Sequence, residues 1–210
     1  MLAVAMLPGL TRARPSLPLP PQTDTVDVAR HIVFNGLDMQ AQVFRSQQSQ
    51  ADVVAFYRKL WGNEVVINKL GDALVVGHRQ GDYYFTVQVT AFGGGSKGKL
   101  GIVDVDSVPK GFVPGKGLPA PMGSRVFNDI SYPDDAVPAR TVGLRNTLSP
   151  RQNATFYRER LAADGWKPAD ANRCEEDSCV MYYSRGDSKM TLVMSQAEGQ
   201  SQVIVNVLQP

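Results

Sequence analysis

The sequence predicts an α+β fold in tandem duplication: one small ββαβββ module written twice, each copy an antiparallel sheet with one helix packed across a face. Three observations carry the prediction. The tripeptide Phe56-Tyr57-Arg58 returns as Phe156-Tyr157-Arg158. Matching segments flank both copies in one order. Val33-Phe34-Asn35 answers Val126-Phe127-Asn128, Phe44-Arg45-Ser46 answers Leu144-Arg145-Asn146, and Ser49 answers Ser149. Past the helix, Trp61 answers Trp166, Gly81-Asp82 answers Gly186-Asp187, and Thr86 answers Thr191. A single insertion within Leu161 to Gly165 accounts for the change of offset. Solenoid repeats recur every roughly 20–50 residues. This period is far longer, so it marks two domains.

The first copy spans 23–105 and the second 124–210. In the first, Arg30 to Phe34 reads as a strand, and Asn35-Gly36 is a tight-turn signal. Met39, Ala41 and Val43 alternate with Gln40, Gln42 and Phe44, the period of a half-buried strand. Ser49 is placed to cap the helix, with Asp52 as its capping-box-like partner. Val53, Phe56, Tyr57 and Leu60 make one helical face, and Gly62 stops it. A short β-branched run, Glu64 to Asn68, leads through Leu70-Gly71-Asp72 into a strand over Ala73 to His78. Tyr83 to Phe92 is rich in β-branched and aromatic residues and reads as the best strand of this copy. The glycine-rich stretch Gly93 to Gly98 is expected as a loop before a last strand, Leu100 to Val105.

Residues 106–123 are rich in Pro and Gly without a period, the composition of an interdomain linker. In the second copy, Arg125 to Ile130 and Val137 to Arg145 are strands around the turn Tyr132-Pro133-Asp134-Asp135. Ser149, Pro150 and Gln152 supply cap, first helical residue and capping box. The helix runs to about Ala163 before Gly165. A hairpin around Cys174 and Cys179 follows, then strands Lys189 to Gln196 and Gln202 to Leu208.

Residues 1–22 form a partial signal-like segment and a proline-rich linker. Met1 to Leu10 is apolar, lacks a cationic start, and is too short to span a bilayer. It reads as the tail of a secretory signal, with Thr11-Arg12-Ala13 near a processing point. Arg14 to Gln22 is expected as an extended, unpacked linker. No Cys lies in this region, so a lipid anchor is not supported.

A formal charge of +2 argues against nucleic acid as a partner, because that needs a strongly basic face to displace counterions. Cys174 and Cys179 flank Glu175-Glu176-Asp177-Ser178 across a hairpin tip and suit a structural disulfide, which agrees with an exported protein. A zinc site would need further ligands nearby, and a redox motif would want a shorter spacing. Gly93 to Leu100 has the glycine and lysine spacing of a phosphate-binding loop, but Leu100 stands where Ser or Thr should hold magnesium, and no helix follows. No cofactor or metal is therefore expected. Arg185-Gly186-Asp187 occupies the turn that Gln80-Gly81-Asp82 also makes. His31 and His78 lie in strands as packed or surface residues.

Arg58 and Arg158 recur on the helices, and Arg45 and Arg145 at strand ends. Each can cover the helix–sheet seam with its stem, or mark equivalent spots for an anion or a partner. Tyr57, Trp61, Tyr157 and Trp166 are candidates to line a pocket under the helices. The helix-across-a-sheet arrangement resembles the helix-grip modules of outer-membrane assembly lipoproteins, a likeness of fold alone. The functional expectation is a non-catalytic periplasmic or secreted protein of a bacterial-type cell envelope. It would act as an interaction or assembly module with envelope protein partners, through open sheet edges, as an accessory to a secretion or pilus apparatus. The alternatives are a small-molecule or lipid carrier, with its ligand between helix and sheet, and an enzyme using His31 or His78.

Overall fold

The computed structural model describes residues 15–209. The signal-like Met1 to Leu10 and the processing point at Thr11-Arg12-Ala13 lie outside them. The chain is an antiparallel sheet with two helices. Its first half runs β1 (Thr23–Phe34), β2 (Leu37–Ser46), α1 (Gln50–Trp61), β3 (Val65–Leu70), β4 (Ala73–Gln80), β5 (Tyr83–Phe92) and β6 (Gly95–Asp104). The second runs β7 (Arg125–Tyr132), β8 (Ala139–Asn146), α2 (Pro150–Ala163), β9 (Lys167–Pro168), β10 (Arg173–Cys174), β11 (Ser178–Arg185), β12 (Ser188–Ala197) and β13 (Gln200–Leu208).

Four strands follow α1, where a ββαβββ pattern has three. Gly71, at φ +59°, closes a tight turn. The β-branched run before it therefore returns along β4, with Val65 opposite His78 and Leu70 opposite Ala73. In the second half the same place holds two short pieces, β9 and β10, both paired with β11. The stretch between them is fastened by Ala169 N–H to the Tyr182 carbonyl (2.9 Å) and by Tyr182 N–H to Asn172 Oδ1 (2.7 Å).

Two separate sheets were expected; there is one. Its strands run β10-β11-β12-β13-β8-β7-β1-β2-β6-β5-β4-β3 in a 13-stranded sheet, with β9 beside β11. The halves join where Val33 stands opposite Ser131 and Phe34 opposite Ile130. The Asn35-Gly36 turn makes this join. Both residues have positive φ, +49° and +85°, as a two-residue primed turn requires. That shape aims the tip at β7, where Asn35 N–H donates to the Asp129 carbonyl (2.8 Å) and Asp129 N–H donates to Asn35 Oδ1 (2.9 Å).

Opposite residues of an antiparallel pair point to the same side. Followed through the registers, this rule puts Phe44, Leu100 and Val87 on the same side as Leu144, Val203 and Leu192. Both helices therefore cover one face, and among the described residues the other carries none. Val53, Val54 and Tyr57 of α1 pack on Phe44, Val76 and Val87. Tyr157 and Leu161 of α2 pack on Met181, Leu192 and Val203.

Several local expectations need correction. The match of Val33-Phe34-Asn35 with Val126-Phe127-Asn128 is not one of place: Val126 stands opposite Leu144 as Thr25 stands opposite Phe44, while Phe34 lies at the hairpin end of β1, opposite Leu37. Leu60 is exposed, and Trp61 takes its place on the buried side, stacked on Tyr57 at 4.9 Å. In β2 the alternation is real but the sides are exchanged: Phe44 faces the helix and Val43 faces outward. The Gly93 to Gly98 loop is only the turn Gly93-Gly94, and Gly95 already belongs to β6. Bare backbone is needed there, because a Cβ on Gly98 would meet the Gln88 carbonyl and the Phe44 ring. Ser49 caps α1 as expected, but Asp52 Oδ2 accepts the Ser49 hydroxyl (2.7 Å) instead of completing a box. On α2 the Ser149–Gln152 box is complete.

The proline-rich segment before β1 is not unpacked. Leu17 is buried in the first core, and the Tyr57 hydroxyl donates to the Pro18 carbonyl (3.0 Å). Residues 106–123 have no helix or strand, yet they are strapped down. Gly115 N–H donates to Asp129 Oδ2 (2.7 Å), Arg140 Nη1 donates to the Lys116 carbonyl (3.0 Å), and Leu118 packs against the second core.

Candidate functional site

The helix–sheet seams are filled. Tyr57 and Tyr157 are each 0% exposed, at the centre of the two cores. Burial pushes both phenols above the usual tyrosine range. Trp61 lies between Tyr57 and His78, with the His78 ring stacked at 4.8 Å. Trp166 is buried, under the Arg185 guanidinium at 4.8 Å. The expected pocket residues are thus core residues. Burial also raises the Tyr183 phenol, an effect that the charge of Arg158 partly opposes.

The four recurring arginines do not converge. Arg58 and Arg158 are exposed on the helices. Arg45 and Arg145 are exposed on the helix-free face, each with its guanidinium 5.1 Å from a phenylalanine ring, Phe92 and Phe127 respectively. The Arg185-Gly186-Asp187 tripeptide is the β11–β12 turn, with Gly186 at φ +58°, and Gly81 at φ +59° makes the same turn between β4 and β5.

Sequence reasoning missed the feature that surrounds Arg45. Strand registers set Asp24, Arg45, Lys97 and Thr90 side by side in one row across four strands. The next row on that face is Val26, Val43, Lys99 and Gln88. Together they line an open depression of about 450 Å³. Its floor is apolar, with Val26 67% exposed, and its rim carries three cations against the single carboxylate of Asp24. Lys97 and Lys99 point the same way because alternate residues of a strand share a side. Read as a loop, the glycine-rich stretch hid that alignment.

A second depression, about 400 Å³, lies on the helix face under the 106–123 strap, between Val33, Phe112, Lys110, Lys116 and Arg140. Its floor is the pair Asp129–Arg140, bonded twice, at 2.9 and 2.7 Å. Burial would raise the Asp129 carboxyl, but the hydrogen bonds from Arg140 and Gly115 and the Arg140 charge hold it below the usual range.

His31 also sits at the seam. Its Nε2 is 3.1 Å from Asp38 Oδ1 and its Nδ1 is 3.4 Å from Asp134 Oδ2. The histidine thus meets carboxylates from both halves. Near them, the Ser107 hydroxyl accepts from Asp38 N–H (2.7 Å) and donates to the Asp104 carbonyl (2.7 Å), so its proton is directed away from the ring. His78 is buried, with Nδ1 3.1 Å from the Glu64 carbonyl.

Cys174 and Cys179 are disulfide-bonded and stand directly opposite each other in the β10–β11 ladder. That bond is compatible with an oxidising compartment. Among the described residues, no helix is long and apolar enough to cross a membrane. Comparison with known proteins finds no family model, no curated protein and no solved structure that matches this chain.

Proposed function

We propose that this chain is a non-catalytic, exported protein of the cell envelope, an interaction or assembly module built from two copies of one helix-on-sheet unit. The same strand order leads away from the seam in both halves, which supports the duplication: β1-β2-β6-β5-β4-β3 on one side and β7-β8-β13-β12-β11-β10 on the other. Joining through β1 and β7 uses one edge of each unit and leaves β3 and β10 at the outer ends for strand addition.

The observation that carries the interaction reading is the contrast between the two faces. Tyr57 and Tyr157 are fully buried in the seams between helix and sheet. The opposite face presents apolar side chains with a cationic rim, the composition of a surface that a partner covers. The disulfide and the signal-like start support export. Accessory service to a secretion or pilus apparatus is the assembly role this reading accommodates.

The test is a pull-down from envelope extract with the full chain as bait, run beside Val26→Glu/Val43→Glu. A defined complex retained by the parent chain and lost from the folded double variant is the expected result. Equal recovery by both chains, or a purified chain that native mass spectrometry finds loaded with a small molecule, overturns it.

A further inference from the structure

The open depression of the first half has a partly covered counterpart in the second, and the counterpart shows what shape fits. Arg125, Arg145, Gln202 and Ser195 form the row that corresponds to Asp24, Arg45, Lys97 and Thr90. Asn128, Gly143, Ile204 and Val193 form the next. Between Val126 and Asn128 the register of β7 shifts, and the displaced residue is Phe127. Such a bulge re-aims a side chain. Here the Phe127 ring lies over Gly143, where a Cβ would meet the ring carbons, and Arg145 stacks on that ring at 5.1 Å. The second half covers part of its own face with an aromatic ring beside an arginine, the ring itself staying 41% exposed.

The first half has no ring at that place. The register from Thr25 to Asp27 is unbroken, Val26 and Val43 face outward, and Arg45 and Lys97 both lean to Phe92, further along the same face, at 5.1 and 4.2 Å. Lys97 and Lys99 stand where the second half has Gln202 and Ile204. Alternate residues of a strand lie about 7 Å apart, the spacing of alternate side chains in any extended chain. A strand-like segment laid along β6 can therefore set one carboxylate against each lysine.

We infer that this depression binds an acidic, extended segment of a partner protein through one aromatic side chain. The inference rests on the interaction reading above and specifies the partner's chemistry. The aromatic ring lies on Val26 and Val43, which buries their exposed surface. Carboxylates at alternate positions meet Lys97 and Lys99 in charge-assisted hydrogen bonds that set orientation and speed association.

The test uses a random-peptide phage library panned on the immobilised full chain, with enriched peptides measured by fluorescence anisotropy. The expected peptides carry an aromatic residue with Asp or Glu at alternating positions. Their affinity should fall about tenfold or more for Lys97→Glu/Lys99→Glu, and less for Lys99→Gln, an exposed neutral change that spares the fold. Added salt should weaken binding to the parent chain and leave binding to the double variant nearly unchanged. Enrichment of neutral or basic peptides, no enrichment, or equal affinity for parent and variants overturns the inference. If that happens while the envelope complex is still lost from Val26→Glu/Val43→Glu, the interaction reading stands and only the occupant's chemistry falls.

Discussion

Tyr57 donates its hydroxyl to the carbonyl of Pro18, 3.0 Å away. Its counterpart Tyr157, equally buried, has no partner for its hydroxyl among the described residues. Removing the oxygen should therefore have opposite consequences in the two halves. Tyr57→Phe loses a hydrogen bond whose net contribution is about 0.5–1.5 kcal/mol. Tyr157→Phe removes a buried hydroxyl that gains nothing, so it should be neutral or stabilising by up to about 1 kcal/mol. Urea unfolding of the two variants checks the sign, and equal losses would count against it.

The same two tyrosines make an alkaline prediction. Burial raises both phenols in the folded chain above the unfolded value of about 10. Below that pH both states hold the proton, and stability does not depend on it. As pH rises above about 10 the unfolded chain ionises first, so stability falls. Tyr157→Phe should flatten the fall between pH values of about 9 and 11, measured by denaturant midpoints at each pH.

At the seam, Asp129 meets the opposite limb. It is 3% exposed and accepts from Arg140 twice and from Gly115. Its folded carboxyl is held below the usual range, since Arg140 and the Gly115 N–H outweigh burial. The stability this contributes is complete well above the unfolded value of about 3.9 and declines as pH falls below it. Asp129→Asn leaves Arg140 without its charge partner and should cost about 3 kcal/mol near neutral pH, the lower end for a broken buried pair because Arg140 is partly exposed. It should also flatten the acid limb. Thermal melts from about pH 3 to 7 distinguish this from a pH-independent loss.

Much of this fold was legible because it rests on local rules. Alternation, the caps at Ser49 and Ser149, the Asn35-Gly36 turn and the facing cysteines each act within a few residues. What escaped was long-range. Nothing near Asn35 says that its turn will hook Asp129, so one sheet was read as two. Leu17-Pro18-Leu19-Pro20 and Leu118-Pro119-Ala120-Pro121 share a pattern ahead of β1 and β7, and both segments lie on a core. Proline content hid that shared pattern by marking them as linkers. For the candidate site, Arg45 was visible through its recurrence. Lys97 and Lys99 were not, because glycines that read as a loop are there to let Gln88 and Phe44 approach.

The disulfide should act locally. Cys174 and Cys179 close a small loop at the outer end of the sheet, far in strand order from the seam. In the chain-entropy description, a loop this short adds about 2 kcal/mol. Replacing both cysteines with alanine should lower stability by up to that amount and speed amide exchange in β9, β10 and β11. Exchange at Asn35 and Asp129 should not change. Faster exchange across the seam would mean that the bridge supports the whole sheet.

Two glycines of β6 separate backbone need from chance. At Gly98 a Cβ would meet the Gln88 carbonyl and the Phe44 ring, both fixed by the sheet. At Gly101 its nearest neighbour is Thr86 Cβ at 3.9 Å, ordinary contact. Gly98→Ala should therefore force strands apart and cost about 1–3 kcal/mol or more, in the range of overpacked cores. Gly101→Ala should be neutral or stabilise by about 0.4–1 kcal/mol, since alanine restricts the unfolded chain and meets no clash in the folded one. Gly98 also floors the depression between Val43 and Lys97, so displaced strands there should weaken the partner capture proposed for this face. Denaturation midpoints and pull-down recovery for the pair give the answer together. A stable Gly98→Ala with full recovery would show that β5 and β6 can shift without cost to the face.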